Sequence, residues 1–135
     1  MIKVRNIAAA YILALLTASS LHAQGIIVSF TAHAENNDYA VLEWTSADES
    51  GLSMFRVERS FDGLAFSAIA DVAPQGNNSS YRFEDHDIYK SSRTYYYRIR
   101  LVMSNGSSSL STVQSVTLDF SGIQQTWGSI KALFR

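Results

Sequence analysis

The sequence contains no cysteine, a single proline and only seven glycines among its 135 residues. The absence of cysteine excludes disulfide bonds, thiol catalysis, cysteine-ligated zinc or iron–sulfur centres and a lipid anchor on an N-terminal cysteine. The low proline and glycine contents and a hydrophobic fraction of 47% argue against a collagen-like repeat or a disordered chain. A length of this size is typical of one domain, whose stability must then come from its hydrophobic core.

Excess charge of either sign is also absent, since the formal net charge at pH 7 is −1. It falls by two, to −3, if Lys3 and Arg5 are removed with an N-terminal signal. A nearly neutral, slightly acidic protein is a poor candidate for general binding to nucleic acid or to an anionic membrane surface. We therefore expect no nucleic-acid partner.

The N-terminal segment has the three parts of a secretory signal peptide. Lys3 and Arg5 give a positive start, residues 7–17 are apolar, and small or polar residues lead to Ala23. With about 10–12 apolar residues, the stretch is shorter than the ~20 that a membrane-spanning helix needs. The sequence thus predicts a signal peptide over residues 1–23, with a cut after Ser20 as the alternative, and an exported protein.

From residue 25 onward the apolar residues recur with a period of two, which is typical of half-buried strands. The residues 104–107, Ser-Asn-Gly-Ser, are typical of a hairpin turn. Seven strands without an intervening helix predict an antiparallel β-sandwich. They are expected near residues 26–31, 40–45, 55–60, 66–72, 81–83, 94–103 and 110–118.

Three stretches in this order have a familiar form: Leu-Glu-Trp-Thr-Ser at 42–46, Phe-Arg-Val-Glu-Arg-Ser-Phe-Asp-Gly-Leu-Ala-Phe at 55–66, and Tyr-Tyr-Arg-Ile-Arg at 96–100. Over about residues 26–119 the chain resembles the fibronectin type III-like modules of exported Bacteroidetes proteins. The resemblance implies an all-β fold, a seven-stranded immunoglobulin/fibronectin III-like sandwich over residues 24–120. It is nearly silent about activity, because this fold serves many binding and spacing roles.

Two structural residues are implied by the same resemblance. It implies that Trp44 is the buried tryptophan of the second strand. It also implies that Tyr95 is a tyrosine-corner residue, whose hydroxyl bonds to backbone near Ile88.

Catalytic patterns are weak in this chain. His33 and His86 are the only histidines after the signal, and no serine lies in a Gly-x-Ser-x-Gly context. The run Asp85-His86-Asp87 has metal-ligating residue types, but we favour a polar loop in which Asp85 holds a turn. Glycosidase chemistry needs two carboxylates across a cleft, and the glutamates are scattered. The expectation is no enzyme, no metal and no cofactor.

The best candidate binding surface on the domain is the Arg/Tyr face, which consists of Arg56, Tyr96, Arg98 and Arg100. These residues are expected on neighbouring strands, together with Glu58. Tyrosine and arginine often dominate binding energies, so the face is a candidate for a protein or glycan partner. The alternative is a solvated face with cross-strand Arg–Glu ion pairs.

The stretch around Glu58 to Gly63 is more typical of structure than of a site. Asp62 and Gly63 predict a turn, and Arg59 is expected to pair with a nearby acid such as Glu49.

The C-terminal tail, residues 121–135, departs from the strand pattern. A helix over residues 126–135 would be marginal alone, so we expect it to dock on the sandwich itself, on a membrane interface, or on an export or assembly partner. In such a helix one face is apolar and its flank is cationic. The tail candidates are Trp127, Ile130 and Phe134 on the face, and Lys131 and Arg135 on the flank.

These observations predict a non-catalytic exported envelope or cell-surface module whose tail mediates attachment or recognition. The alternative is a free secreted domain that binds protein or glycan through the Arg/Tyr face. The expected location is the periplasm, the outer membrane or cell surface, or the extracellular space.

Overall fold

The computed structural model describes residues 25–88, 93–119 and 133. The predicted signal peptide and all five tail candidates lie outside these residues. The described part folds into eight β-strands and contains no helix. They are β1 (Ile27–Glu35), β2 (Tyr39–Ser46), β3 (Leu52–Ser60), β4 (Ser67–Val72), β5 (Ser80–Asp85), β6 (Arg93–Met103), β7 (Ser108–Leu110) and β8 (Gln114–Leu118).

The strands form two antiparallel sheets, as the sequence predicted. The first sheet has the order β1-β2-β5. The second has the order β4-β3-β6, and both β7 and β8 pair with the remaining edge of β6. No described helix is long and apolar enough to cross a membrane.

The prediction of seven strands is wrong by one, because the expected last strand is divided into β7 and β8. Between them, the Ser111 hydroxyl takes the place of a backbone acceptor and receives the Ile99 N–H at 2.8 Å. The same hydroxyl donates to the Thr112 carbonyl at 2.8 Å. A side chain that competes with the backbone in this way interrupts the ladder without moving the chain to another edge.

The core lies between the sheets and follows the predicted alternation. On β6 four inward residues are completely buried, namely Tyr95, Tyr97, Ile99 and Leu101. Tyr96, Arg98 and Arg100 on the outer face are partly exposed. The Trp44 ring stacks on Tyr81 with centroids 5.2 Å apart. The largest buried side chains are Trp44, Tyr95, Tyr97, Phe55, Leu42, Ile99, Leu101 and Leu118.

The sandwich has two ends, which we name by the path of the chain. At the entry end, the Ile26 carbonyl accepts a hydrogen bond from Ala47 N–H at 2.8 Å. At the exit end, the Asp119 N–H donates to the Asn37 side chain at 2.8 Å. Strand β1 alone is about 27 Å long at the usual rise per residue. The described chain therefore begins and ends at opposite ends of the sandwich.

Candidate functional site

The pairing of β3 with β6 brings the Arg/Tyr face together around Glu58. Arg98 Nε donates to Glu58 Oε2 at 2.5 Å, and Arg100 Nε donates to Glu58 Oε1 at 2.7 Å. Glu58 is only 6% exposed. Burial opposes its ionisation, but the hydrogen bonds from Arg100 and Arg98 outweigh burial and lower the pKa of Glu58. One buried carboxylate thus holds two of the predicted binding arginines.

Arg56, a third member of the face, is also held by a neighbouring carboxylate. Arg56 Nε donates to Asp71 Oδ1 at 2.8 Å, and this bond raises the pKa of Arg56. The Arg98 guanidinium carbon lies 4.0 Å from the centre of the Phe66 ring. The structure therefore contains the cross-strand ion pairs that the sequence offered as the alternative for this face, and its role in binding stays a prediction.

The β3–β4 loop, residues 61–66, is fixed by the side chains at its start. Asp62 Oδ1 accepts hydrogen bonds from the backbone N–H groups of Leu64 at 2.8 Å and Ala65 at 3.0 Å. These bonds, with that from the Ser60 hydroxyl, lower the pKa of Asp62 to about 2. Gly63 has a φ of +78°, which a side chain would strain. The chain turns at these residues, as predicted.

This loop presents a surface that the sequence analysis did not single out. Leu64 is 86% exposed and Phe61 is 49% exposed. The guanidinium carbon of the exposed Arg93 lies 5.3 Å from the centre of the Phe61 ring. We call Phe61, Leu64 and Arg93 the tip surface. The sequence does carry a signal for this exposed surface, namely an apolar residue on either side of an Asp-Gly turn. Two residues placed in this way cannot both point into a core.

A buried polar network ties the two sheets together at the exit end. Both oxygens of Asp85 accept from Arg59 Nη1, at 2.9 and 2.8 Å, and the Tyr97 hydroxyl donates to Asp85 Oδ2 at 2.7 Å. Burial and the bond to Asp85 raise the pKa of Tyr97. Arg59 pairs with an acid, as expected, but that acid is Asp85. The example of Glu49 is wrong, because strand alternation points Arg59 inward at the end remote from Glu49.

Glu49 instead forms a second network at the entry end. It accepts hydrogen bonds from the Ser46 hydroxyl at 2.6 Å, from the Tyr81 hydroxyl and from Gly76 N–H at 2.9 Å. Burial opposes its ionisation, and the hydrogen bonds outweigh burial and lower the pKa of Glu49. Its carboxylate is held by neutral donors in the described structure.

The outer face of the β1-β2-β5 sheet carries a shallow polar cleft of about 410 Å³. Its floor includes a hydrogen bond of 2.7 Å between the Ser29 and Thr45 hydroxyls. Arg82 in the cleft contacts Glu43 at 3.1 Å and Glu84 at 3.2 Å. The cleft is lined by Ser29, Thr31, Glu43, Trp44, Thr45, Ser80, Tyr81 and Arg82.

The histidines and the predicted metal-like run lie near this sheet. His33 contacts Glu35 and His86 contacts Glu84, each at 3.4 Å. Asp85 is buried in the Arg59 network, and its Oδ1 also accepts from the Asp87 N–H at 3.2 Å. Among the described residues, no three histidine or carboxylate side chains are grouped so that they could hold a metal ion.

The two residues predicted to be structural lie in the core. Trp44 is 1% exposed on β2, and Tyr95 is completely buried on β6. The expected hydrogen bond from the Tyr95 hydroxyl to backbone near Ile88 stays a prediction.

Comparisons with known proteins bear on the fold. No protein-family model matches the chain, and no curated protein matches it significantly. An Fn3-like protein from Clostridium thermocellum is similar in structure, with a TM-score of 0.52 and 21% identity over 67% of this chain and 88% of that one.

Two pectate lyases contain a similar part. The enzyme Pel3 from Pectobacterium carotovorum has a TM-score of 0.51 and 21% identity over 64% of this chain and 26% of that one. The enzyme PelI from Erwinia chrysanthemi, solved with tetragalacturonic acid, has a TM-score of 0.52 and 22% identity over 64% of this chain and 27% of that one. The chain therefore spans about a quarter of these enzymes. At such identities the likenesses support an Fn3-like β-sandwich and carry no activity across.

Proposed function

We propose that this chain is a non-catalytic exported module of the bacterial cell envelope or cell surface, and that its C-terminal tail attaches it or recognises a partner. The resemblance to modules of exported Bacteroidetes proteins and the signal-like N-terminal segment support export. The likeness to an Fn3-like protein supports a binding or spacing module over an independent catalytic domain.

The observation that carries the proposal is the position of Asp119, the last residue described before the tail. The side chain of Asn37 bonds both backbone groups of Asp119, with the Asp119 N–H donating at 2.8 Å. The chain thus leaves the sandwich at a fixed point at the exit end, while Gly25 lies at the entry end. In the described part, Asp119 therefore lies at the opposite end of the sandwich from Gly25.

The ionisable groups support a non-catalytic role. In the described part, the buried carboxylates Glu49, Glu58 and Asp85 are each occupied by hydrogen bonds that hold strands or loops together. A general acid or base must instead face a substrate within hydrogen-bond reach.

The experiment is cell fractionation of the full chain and of a chain that ends at Ser121, detected through the sandwich. We expect the full chain in the envelope fraction and the shorter chain in the soluble fraction. A double variant, Trp127→Ala with Phe134→Ala, should behave like the truncation. The matched control, Gln124→Ala with Gln125→Ala, removes two side chains outside the predicted apolar face and should stay in the envelope. An identical distribution of all four proteins would contradict attachment through the tail.

A second candidate function is binding through the Arg/Tyr face. One observation favours it: two guanidinium groups share the single carboxylate of Glu58, which leaves positive charge at the surface. Arg98→Ala and Tyr96→Ala should then abolish binding to an oligosaccharide array that includes acidic sugars. Both variants should stay folded at the assay temperature, with a small fall in melting temperature for Arg98→Ala because it removes one of the two guanidinium groups on Glu58. Unchanged binding by both variants would exclude this face.

A further inference from the structure

The tip surface is exposed because the loop that carries it is rigidly built. Besides the bonds to Leu64 and Ala65, the Ser60 hydroxyl accepts from Gly63 N–H at 2.9 Å and donates to Asp62 at 2.8 Å. This loop cannot fold Leu64 inward without breaking several of these bonds. An apolar side chain held out in water in a fixed position is pre-organised for a contact.

Strand β8, which precedes the tail in the sequence, ends near this surface. Leu118 is the register partner of Arg93, and Arg93 covers the Phe61 ring. Strands β8 and β3 flank β6, and their ends are staggered by three residues because Leu118 pairs with Arg93 and Ser60 pairs with Tyr96. Two strand spacings and this stagger place the end of β8 about 14 Å from the start of the β3–β4 loop. Residues 120–135 number 16 and would span about 24 Å even as a helix. The tail therefore has more than enough length to reach the tip surface.

The tail and the exit end are complementary in chemistry. Residues 120–135 contain Lys131 and Arg135 and no acidic residue. The exit end carries the exposed carboxylates of Asp62 and Asp87. Opposite charges favour approach of the tail, and the same carboxylates oppose approach of an anionic lipid surface.

Arg93 adds a specific feature. Among the described residues, no carboxylate lies within 4.0 Å of its guanidinium group, whereas the other described arginines all have one. Its described contact is the Phe61 ring instead. A guanidinium group that contacts a ring and no carboxylate can form a cation–π contact with a second aromatic ring. The tail contains two aromatic residues of its predicted apolar face, Trp127 and Phe134.

From these observations we infer that the tail docks on the tip surface of its own sandwich, with Trp127, Ile130 and Phe134 against Phe61, Leu64 and Arg93. The inference rests on the proposed function and adds a regulation to it. An envelope partner that recognises the apolar face of the tail must first displace the tail from the tip surface. Attachment of the tail to the partner therefore competes with docking of the tail on its own sandwich.

The test uses Trp127 as a reporter in the chain from Gln24 to Arg135. The chain has two tryptophans, and Trp44 is buried in the core, so quenching of fluorescence by acrylamide reports mainly on Trp127. We expect Trp127 to be protected in the parent chain. Leu64→Ser should raise the quenching constant by about twofold or more, because a docked indole becomes exposed.

The matched control is Leu110→Ser, which removes a 40% exposed leucine from β7 on another part of the surface. It should leave the quenching constant unchanged. Since both leucines are exposed, both variants should keep the melting temperature of the parent, which separates undocking from unfolding. A second variant, Phe61→Ser, should repeat the effect of Leu64→Ser.

Three results would overturn the inference. A quenching constant of Trp127 in the parent chain that equals the constant of a free indole would show that the tail is not docked. Protection that survives both Leu64→Ser and Phe61→Ser places the tail on another surface. Protection that appears only with vesicles of phosphatidylcholine and phosphatidylglycerol identifies a lipid occupant. The fractionation experiment is independent of all three, because a tail that attaches the chain need not dock on it, and a docked tail need not attach it.

Discussion

The two ends of the sandwich each bury a carboxylate, and they stabilise it in different ways. At the exit end, Asp85 pairs with the guanidinium of Arg59 at 2.8 Å and accepts the Tyr97 hydroxyl. At the entry end, Glu49 is bound by two hydroxyls and a backbone N–H. The positive charge of Arg59 neutralises the negative charge of Asp85, whereas the neutral donors around Glu49 leave its negative charge uncompensated.

The difference matches the elements that each carboxylate connects. Asp85 belongs to the first sheet, and both Arg59 and Tyr97 belong to the second, so this network locks the sheets together. Glu49 connects the β2–β3 loop to β5 and to the β4–β5 loop, so it closes loops over one end of the core. We expect the loss of Asp85 to affect the whole fold and the loss of Glu49 to act more locally.

The largest effect is expected for Asp85→Ala. The change leaves the Arg59 guanidinium largely buried without a counter-ion and the Tyr97 hydroxyl without its acceptor. Loss of one partner of a buried pair costs about 3–5 kcal/mol of unfolding free energy. Urea denaturation measures it. The double variant Arg59→Met with Asp85→Leu should lose less than Asp85→Ala, and an equal or greater loss would contradict this account of the network.

A smaller loss is expected for Glu49→Gln, about 1–2 kcal/mol, because the amide can still accept some of the same hydrogen bonds. Urea denaturation measures this change as well. Glu43→Gln is the control, since Glu43 is exposed on the outer face of the first sheet and should have no measurable effect. A cost for Glu49→Gln that exceeds that of Asp85→Ala would reverse the comparison of the two ends.

The pH dependence of stability tests the charge of Glu49 directly. Its pKa in the folded protein is lowered from about 4.5, so its contribution is present above that pH and is lost as the pH falls further. The melting temperature should therefore decline between pH 5 and pH 3. Glu58 also contributes to this decline, because its pKa is lowered in the folded protein as well. Glu49→Gln should decline less steeply than the parent protein. Parallel curves would show that folding does not lower the pKa of Glu49.

The smallest effect is expected for Glu58→Gln, on the Arg/Tyr face. Arg98 and Arg100, which it binds, are partly exposed, so water can hydrate their guanidinium groups when the carboxylate is lost. The loss of unfolding free energy should therefore be about 1 kcal/mol. Thermal unfolding measures the change. A cost equal to that of Asp85→Ala would show that this outer face is as integral to the fold as the inner network.

The sheet pattern could be predicted from the sequence because alternation is a local property. It separates the inward and outward faces of strand β6, and residue type alone indicates the turn at Asp62 and Gly63. The break at Ser111 could not be predicted in this way, because nothing in the pattern tells whether a hydroxyl bonds to solvent or to Ile99 across the ladder.

The candidate site was harder to predict, for physical reasons. The acid that pairs with Arg59 depends on which loops and strands meet at the end of β3. The short sequence separation between Arg59 and Glu49 does not reveal this arrangement. The β3–β4 pairing slips between Val57 and Glu58, and this irregularity precedes the loop that displays Leu64. Exposure of this kind arises from side-chain bonds to the backbone, which periodicity does not encode.

The bond between Asn37 and Asp119 also has a mechanical consequence. A force applied between the two termini runs along β1 and β8, which are edge strands of different sheets and begin and end at opposite ends of the sandwich. The ladder bonds of β1 with β2, and of β8 with β6, are then loaded together in shear, so neither strand can be peeled away one bond at a time. Asn37 extends this resistance across the gap between the sheets, so that a pull on the tail is shared by both.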